Sequence, residues 1–462
     1  MTITVQNLGN IDAATFDIGE MTVLCGANNF GKTYVTYAFY GLMKYLRSSY
    51  SLIPISLSSI EELLARGVVT IPLHHYLAAL PKSVLEASDA YSNSLADVFA
   101  ADESHFKDAK ISMDTSGITS AMFRDSEGDI SSSRNPIFHL SFSAKTLEVT
   151  IRQIGETKNR LPLRPSFVRH IVSDAVRQYL LKPVIPSVYI SSSERTGVVM
   201  FYRELDFTRN RILELLGQKG SDIASRLLYD EFRGEYPLPV RDNVDFIRNL
   251  PNLSGEEKRL AKQHPEILEK LSDVVAGSFK ATKDGFVSYH PSKGVKLSVG
   301  ESSSSIRSLL DVAFYLRYVA EPGGMLMIDE PELNLHPSNQ RKLARLLARL
   351  VNCGVKVFMT THSDYIVKEI NTLLLLKQEG NGFKTIAKEE GYAQEELLDA
   401  SKVHVYIANE CPLKKPGNTR KTLCHTFTPA PISQSMGIEI KSFDETIDDM
   451  NRIQDRILWE AR

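Results

Sequence analysis

The sequence predicts an α/β fold built on a mostly parallel sheet, because strand patterns alternate with helix patterns at both ends of the chain. Met21–Cys25 is an apolar run of strand length, and beyond the glycines that follow it apolar residues recur at helical spacing from Val35 to Leu46. Met325–Ile328 and Val355–Met359 are further apolar runs, each followed by a helix pattern. Strands that alternate with helices in this way form parallel sheets.

The length of the chain predicts that this core carries additional subdomains, since 462 residues exceed what one hydrophobic core usually supports. We assign residues 1–50 and 184–380 to the core, with a helical subdomain at 201–285 inside it. Residues 51–183 are assigned to an inserted α+β subdomain, and 381–462 to a C-terminal partner or dimer region.

Local patterns support these boundaries. After short helical pieces, the insertion shows β-like stretches at Lys110–Asp114 and Leu147–Arg152, with a Ser/Gly/Asp-rich loop between them. Val188–Ser191 is expected to return to the main sheet, and charged helices broken by prolines follow over 204–283. The chain ends in a less regular region that closes with a helix opened by the capping-box pattern at 442–445.

Composition excludes several classes of protein. The formal net charge of −2 and the pI of about 6.6 do not call for a nucleic-acid or anionic-membrane partner, although a local basic patch stays possible. The longest aliphatic run, Leu373–Leu376, is far too short to cross a membrane, and the N-terminus has no leader pattern. The four cysteines are too few and too unevenly spaced for a disulfide framework, which fits a reducing compartment. We therefore expect a cytoplasmic protein, and the short aliphatic runs predict no membrane partner.

A glycine-rich segment after the first buried strand matches the phosphate-loop motif G-x-x-x-x-G-K-[ST]. The glycines let successive N–H groups point at phosphate oxygens, and the following helix presents its positive end to the same anion. Lys32 would reach the β- and γ-phosphates, and the Thr33 hydroxyl would bind Mg²⁺. These residues predict ATP binding and are called the P-loop: Gly26, Ala27, Asn28, Asn29, Phe30, Gly31, Lys32 and Thr33.

Two carboxylates follow the apolar strand Met325–Ile328. Asp329 would hold Mg²⁺, through water, because this ion keeps much of its hydration. Glu330 would orient and deprotonate the water that attacks ATP. An imidazole, His362, follows the next strand and could donate a hydrogen bond to the γ-phosphate; a structural role is the alternative.

Leu297–Glu301, the signature segment, keeps the Leu, Ser and second Gly of the L-S-G-G-Q motif and precedes a helix pattern. Val299 replaces a glycine and Glu301 a glutamine. The Ser298 hydroxyl, the N–H groups around Gly300 and a helix start would form an anion site without a lysine, which suits the γ-phosphate of ATP held by another subunit. A plain helix cap is the alternative interpretation.

Four segments of the sequence resemble ABC-type ATPases of the structural-maintenance-of-chromosomes and OLD (overcoming lysogenization defect) kind. They are GANNFGKT, LSVGESSSSIRSLL, MLMIDEPELNLHP and VFMTTHSD. The resemblance covers about 1–45 and 184–376, and Ser191–Arg195 is similar to the returning-strand motif of the OLD-like branch. It implies an ABC-type head that forms a homodimer, possibly within a higher oligomer. Two ATP molecules would lie between the P-loop of one copy and the signature segment of the other.

Departures from the family's motifs limit the functions that the resemblance implies. No Asp-x-Asp follows His362, so the TOPRIM nuclease domain of OLD proteins is not expected, and no Q-loop glutamine can be placed. Relatives without TOPRIM or long arms resemble the ATPase halves of two-gene anti-phage systems. The main hypothesis is therefore a slow, regulatory ATPase that gates a separate effector protein such as a nuclease.

Two other functions stay open. A DNA-maintenance ATPase of the SMC type would act directly on DNA and would need a basic groove, which the net charge does not indicate. A transporter subunit is disfavoured by the large insertion and the unassigned Q-loop.

Weaker signals have ordinary alternatives. His404, Cys411, Cys424 and His425 could hold zinc, but no C-x-x-C pair is present and ordinary loop positions are favoured. Four basic residues could form a loop that touches nucleic acid, or an ordinary solvated loop: Lys414, Lys415, Arg420 and Lys421. Glu194–Arg195 could place an arginine near phosphate or form an internal ion pair.

Overall fold

The structure is a computed structural model. It describes residues 1–49, 55–132, 135–154, 164–201, 236–253, 257–282, 286–414, 421–439 and 442–460. These residues form two compact units. The insert unit comprises Met1–Thr4, Leu42–Ser94 and Lys110–Ser187, and the core unit comprises Val5–Gly41, Leu95–Ala109 and Val188–Arg462.

Secondary structure is given in chain order. The strands are β1 (Thr2–Leu8), β2 (Ile11–Asp17), β3 (Met21–Cys25), β4 (Val68–Pro72), β5 (Lys110–Asp114), β6 (Ser126–Ser132), β7 (Asn135–Ser143), β8 (Glu148–Gln153), β9 (Val188–Ser191), β10 (Ser278–Ala281), β11 (Val287–His290), β12 (Leu297–Ser298), β13 (Met325–Asp329), β14 (Lys356–Thr361), β15 (Val403–Lys414), β16 (Lys421–Pro429), β17 (Ile432–Ser433) and β18 (Gly437–Ile438). The helices are α1 (Lys32–Ser48), α2 (Leu57–Arg66), α3 (His74–Ser92), α4 (Leu95–Phe99), α5 (Pro165–Leu181), α6 (Leu238–Leu253), α7 (Arg259–Gln263), α8 (Pro265–Val275), α9 (Ser304–Arg307), α10 (Leu310–Tyr318), α11 (Pro337–Asn352), α12 (Asp364–Leu375), α13 (Asn381–Glu389) and α14 (Ser442–Glu460).

The insert unit contains an antiparallel sheet in the order β4-β8-β7-β6. Val69 and Ile71 of β4 are buried and lie opposite Ile151 and Val149 of β8, as the alternation of these residues requires. The predicted strands at 110–114 and 147–152 correspond to β5 and β8, but the stretch predicted as a loop between them forms the hairpin of β6 and β7. In β7, apolar residues alternate with His139 and Ser141, a signal that the sequence did contain.

The core unit is built on a sheet in the order β16-β15-β3-β14-β13-β9. The contacts β15–β3, β3–β14, β14–β13 and β13–β9 are parallel, and β15–β16 is antiparallel. The predicted α/β fold with a mostly parallel sheet is therefore confirmed. Every residue of β3 and β13 is buried, as is typical of strands in the interior of a parallel sheet that is covered on both faces.

Two strands of this sheet, β15 and β16, lie beyond residue 380, which is the predicted end of the core. β15 pairs with β3 from Val403 opposite Met21 to Ile407 opposite Cys25. Val403 and Val405 are buried, since they extend the apolar surface of the sheet past β3. Val403–Lys414 and Lys421–Pro429 therefore belong to the sheet that carries the P-loop.

Apolar side chains of the core unit form one continuous cluster between the sheet and its helices. Ile328 and Met359 of the sheet are buried with Leu343 and Leu347 of α11 and Ile370 of α12. Burying a side chain of this size stabilises the fold by about 1.5–3 kcal/mol. This packing fixes the strand ends that carry the predicted motifs.

Some predicted features lie wholly or partly outside the described residues. The helical subdomain at 201–285 is described through α6, α7 and α8, while 202–235 is not described. Of the basic loop, 415–420 is not described, and its ends Lys414 and Lys421 lie opposite each other in β15 and β16. α14 begins at Ser442, but its first side chains are not described, so the predicted capping box is untested. Within the described part of the chain, no helix combines the length and apolarity needed to cross a bilayer.

Candidate nucleotide-binding site

Three parallel strands of the core unit end side by side at what we call the carboxyl edge. β3 ends at Cys25 next to Thr361 of β14, and Asp329 of β13 lies next to Thr360. The P-loop, the two acids and His362 therefore start from neighbouring strand ends. Ligands of open α/β sheets bind at such edges.

Two glycines of the P-loop are required by close contacts. Gly26 has φ +127°, and a Cβ there would lie 2.9 Å from the carbonyl oxygen of Ala408 in β15. Gly31 has φ +80°, and its Cβ would lie 2.9 Å from Ile11. Only glycine fits both positions without displacement of the neighbouring chain. The turn also places Asn29 at φ +65°, where its carbonyl oxygen accepts a hydrogen bond of 2.6 Å from the Asn10 side chain.

Lys32 is the first residue of α1, and its ammonium group lies within the P-loop. Its Nζ donates to the carbonyl oxygens of Gly26 at 2.9 Å and Ala27 at 2.7 Å. Burial lowers the pKa of Lys32, and the nearby carboxylates of Glu330 and Asp329 oppose this. The amine thus lies where phosphate oxygens could replace two carbonyl partners.

The remaining P-loop residues are more accessible. Ala27, Asn28 and Asn29 are exposed. Phe30 is partly buried and lies with its ring centroid 5.2 Å from that of His425 on β16. The open side of the loop is therefore available to an anion.

Asp329 is fully buried and only partly satisfied. Its Oδ1 accepts hydrogen bonds from the Thr33 hydroxyl at 3.3 Å and from Thr360, whereas its Oδ2 has no hydrogen-bond partner among the described residues. Burial raises the pKa of Asp329; the two threonine bonds lower it, and the nearby Glu330 and Glu194 raise it further. An unpartnered buried carboxylate oxygen beside a hydroxyl fits the oxygen ligands that Mg²⁺ prefers.

Glu330 has an uncommon backbone conformation. Its φ is +52°, a left-handed value that costs a non-glycine residue about 1–3 kcal/mol. Its N–H donates to the Thr360 hydroxyl at 3.0 Å. The carboxylate is a quarter exposed, so it is accessible to water at the carboxyl edge.

His362 lies between two acids. Its Nδ1 is 3.2 Å from Oε1 of Glu332 and 3.8 Å from Oε1 of Glu330. Glu332 is buried. Its carboxylate also accepts hydrogen bonds from the backbone N–H of His362 at 2.7 Å and from the Thr361 hydroxyl at 2.9 Å. No role was predicted for Glu332, although an acid two residues after Glu330 is a visible signal in the sequence. Glu332 therefore contacts both the backbone and the ring of His362.

The signature segment begins as β12, which pairs with β11, and its Ser298 and Glu301 bond to each other. The Ser298 N–H donates to the Glu301 carboxylate at 2.7 Å, and the Glu301 N–H donates to the Ser298 hydroxyl at 3.4 Å. Ser298 and Glu301 are exposed, and a Cβ at Gly300 would meet only the Ser298 hydroxyl, at 4.0 Å. The helix expected directly after the segment begins only at Ser304, because 299–302 form a turn.

Glu194 and Arg195 have separate partners rather than the internal ion pair considered as one alternative. Glu194 accepts a hydrogen bond of 2.6 Å from the Tyr37 hydroxyl. Arg195 is buried, and its described hydrogen bonds go to main-chain carbonyl oxygens rather than to a carboxylate.

The four candidate zinc residues of the C-terminal hairpin have other partners. His404 Nδ1 lies 3.0 Å from the carbonyl oxygen of Asp17, and His425 Nε2 lies 2.9 Å from Glu410. Cys411 and Cys424 are free thiols opposite each other in β15 and β16. The described residues contain no group of three metal-ligating side chains.

Comparison with solved structures finds low-level likeness to SMC head domains. An SMC head bound to the C-winged helix domain of ScpA is 12% identical, with a TM-score of 0.35, over 94% of this chain and 98% of that one. The SMC head domain from Thermotoga maritima is 8% identical, with a TM-score of 0.31, over 93% and 98%. An SMC head with an extended coiled coil, bound to a ScpA domain and derived from Pyrococcus furiosus, gives 13% and 0.29, over 80% and 90%. No residue role follows from likeness at this level.

Comparison of sequences gives a more extensive match. No protein in the curated set matches the chain significantly. The profile of one family, the AAA ATPase domain, matches residues 1–367, a span that contains the P-loop, the signature segment and the whole carboxyl edge. The chain therefore belongs to the AAA ATPase domain family.

Proposed function

We propose that this ATPase is a homodimeric, Mg²⁺-dependent switch that hydrolyses ATP slowly and gates a separate effector protein in bacterial anti-phage defence. The observation that supports the ATP chemistry is that the P-loop lysine, Asp329 with its unpartnered Oδ2, Glu330 and His362 all follow or end neighbouring strands at the carboxyl edge. The effector and the defence role rest on the resemblance described above.

The carboxyl edge supplies the groups that in-line hydrolysis needs. Lys32 would exchange its two loop carbonyls for β- and γ-phosphate oxygens. As the oxygen of water bonds to the γ-phosphorus, Glu330 accepts the water proton, and the bond to the bridging oxygen breaks with its electron pair leaving on ADP. His362 would donate a hydrogen bond to the γ-phosphate from the position that Glu332 fixes. When bound, Mg²⁺ would neutralise phosphate charge, with Thr33 and Asp329 as its protein ligands.

The signature segment supports a two-copy arrangement. Ser298 and Glu301 are exposed and bond to each other rather than to the P-loop. In a head-to-tail homodimer each segment would face the ATP held by the other copy, and the Ser298 hydroxyl and local N–H groups would bind its γ-phosphate. ATP would then close the dimer and hydrolysis would release it.

The test of the dimer uses Glu330→Gln, with the exposed acid variant Glu379→Gln as control. We expect Glu330→Gln to bind ATP, to hydrolyse it at least ~100-fold more slowly because the positioned base is lost, and to be a dimer with ATP and Mg²⁺ in light scattering. The control should retain the wild-type rate. A Glu330→Gln protein that stays monomeric with ATP would contradict the two-copy site.

The test of the effector uses the same variant. Glu330→Gln is expressed from its native gene neighbourhood, purified with ATP and Mg²⁺, and examined by mass spectrometry and absorbance. A stoichiometric second protein is expected. Co-purified nucleic acid without a protein would instead favour the DNA-maintenance ATPase, in which the closed dimer holds DNA directly.

A further inference from the structure

Arg195 is a large, fully buried side chain at the junction of three segments of the core unit. It is 1% exposed and follows β9, at the start of a helical stretch over 195–201. β9 is parallel to β13, with Ser191 opposite Ile328, so Arg195 lies close to the end of the strand that carries Asp329. A buried guanidinium is costly unless its donors are satisfied.

Each of the three guanidinium nitrogens donates to a main-chain carbonyl oxygen. Nη1 donates to Ser192 at 2.9 Å and to Asp329 at 2.7 Å, and Nη2 donates to Glu330 at 2.7 Å. Nε donates to Ser308 at 2.8 Å. One rigid group therefore joins the end of β9, the end of β13 and the junction of α9 and α10.

At the first end of this link, Arg195 holds the backbone of Glu330. The left-handed conformation of Glu330 is anchored on both sides: its N–H donates to Thr360, and its carbonyl oxygen accepts from Arg195. Strained conformations persist only where the surrounding structure over-determines them. The direction of the Glu330 side chain thus depends on two anchors, one of which is Arg195.

At the other end, hydrogen bonds lead from Ser308 to the signature segment. The Ser302 hydroxyl donates to the carbonyl oxygen of Val299 at 2.6 Å, and the Arg307 guanidinium donates to the carbonyl oxygen of Ser302. The Ser308 N–H donates to the carbonyl oxygen of Ser304 at 2.9 Å, and the N–H of the preceding residue, Arg307, donates to the carbonyl oxygen of Ser303 at 3.1 Å. A displacement of the signature segment would therefore reach the carbonyl oxygen that Arg195 holds.

We propose that Arg195 is a positioning residue that couples the signature segment to Glu330 and so makes hydrolysis at one ATP site depend on occupancy of the other. The inference rests on the proposed homodimer, in which the signature segment contacts the ATP of the other copy while Glu330 acts on the ATP of its own chain. Closure on one ATP shifts Ser308, and the guanidinium transmits the shift to the backbone of Glu330.

The geometry explains why an arginine occupies this position. Its planar fork presents donors in fixed directions and stays charged at all working pH values. A lysine has a single donor nitrogen and cannot reach carbonyls of three separate segments at once. Arg195→Lys therefore keeps the charge and removes the link, and Arg195→Ala removes the side chain and leaves a space that free guanidinium can enter.

The experiment compares wild type, Arg195→Lys and Arg195→Ala for ATP affinity, single-turnover kinetics and amide hydrogen exchange. We expect both variants to bind ATP normally and to lose about 100-fold in kcat with little change in KM, the scale of a catalytic group misplaced by about 1 Å. In wild type, ATP should slow exchange at 298–308 and at 329–333. In the variants only the first segment should respond, and millimolar guanidinium should restore part of kcat to Arg195→Ala.

Several outcomes would overturn the inference. Unchanged kcat, or ATP-dependent protection of both segments in Arg195→Lys, would show that no coupling passes through this side chain. If Arg195→Ala does not fold, Arg195→Lys carries the test, and failure of that variant to fold as well would assign Arg195 a structural role instead. A wild-type protein that neither dimerises with ATP nor hydrolyses it would contradict the proposed function itself. If wild type dimerises and hydrolyses ATP but substitution of Arg195 changes nothing, only the proposed coupling is contradicted.

Discussion

Two buried carboxylates of the core unit have opposite environments. Glu396 is fully buried, and its oxygens lie 2.7 Å from Arg345, 3.3 Å from Arg349 and 3.4 Å from Lys270. Burial alone would raise the pKa of Glu396, but Arg345, the N–H of Ala393 and Lys270 outweigh it and the pKa is lowered. Asp329 is equally buried, has an unpartnered oxygen, and has a raised pKa.

The difference separates a region built for stability from a region built for chemistry. Around Glu396 the opposite charges are assembled when the chain folds, so the cluster joins the segment before β15 to α11 and α8. At the carboxyl edge an unpartnered acid, a left-handed Glu330 and a lysine bonded to its own loop remain. Such features are retained where a ligand completes the interactions.

The largest expected effect compares one lysine from each region. Lys32→Ala should abolish ATP binding, because it removes the ammonium group that lies inside the P-loop. Lys270→Ala is the matched control and should bind ATP normally, since Lys270 is bonded to Glu396. Isothermal titration with ATP and Mg²⁺ measures both. ATP affinity that survives Lys32→Ala would contradict the P-loop assignment.

The next prediction concerns the free energy of unfolding, which a substitution in one region should lower and a substitution in the other should raise. Glu396→Gln should lower the free energy of unfolding by about 3 kcal/mol, since it leaves the buried Arg349 and the partly buried Arg345 without their counter-charge. Asp329→Asn should raise it by about 1 kcal/mol, because it removes a buried charge that lacks a full set of partners. Asp329→Asn should nevertheless abolish hydrolysis. Denaturant titration of the nucleotide-free proteins measures both effects.

The pH dependence of these two effects follows from the pKa directions. The lowered pKa of Glu396 means that its stabilisation is present above the ordinary value of 4.5 and is lost as pH falls through the folded-state pKa. The raised pKa of Asp329 means that its ionised form destabilises the fold at neutral pH. That cost disappears as pH falls through the folded-state pKa towards the ordinary value of 3.8. Both variants should therefore approach wild-type stability on acidification; an effect of Glu396→Gln that persists at low pH would contradict the ion-pair interpretation.

The sequence predicted one of these regions much better than the other. Gly26–Thr33, Asp329–Glu330 and His362 could be proposed as site residues because local motifs specify phosphate and metal chemistry, and the parallel register places their strand ends side by side. The Glu396 cluster was not identified, since its partners lie far apart in the chain and single charges carry no pattern. The same reason explains why β15 was missed: its pairing with β3 joins residues separated by most of the chain.

Arg195 shows a second limit of sequence reasoning. Its acceptors are carbonyl oxygens of Ser192, Ser308, Asp329 and Glu330, and every residue type has such an oxygen. No choice of side chain at those positions records the contact. The sequence shows the charged donor, and only the fold shows what it binds.

The smallest expected effect tests whether a buried acid at the carboxyl edge can act by orientation alone. Glu332 resembles Glu396 in being buried and hydrogen-bonded, yet it contacts His362 and the Thr361 hydroxyl rather than a cluster of cations. Glu332→Gln keeps an oxygen for one of these donors and removes the charge beside the imidazole, so kcat should fall by about 10-fold, or about 1.4 kcal/mol of transition-state stabilisation. His362→Ala should lower kcat further, and the double variant should be no slower than His362→Ala, because Glu332 acts through that ring. Additive losses in the double variant would instead place Glu332 in direct contact with the nucleotide or its water.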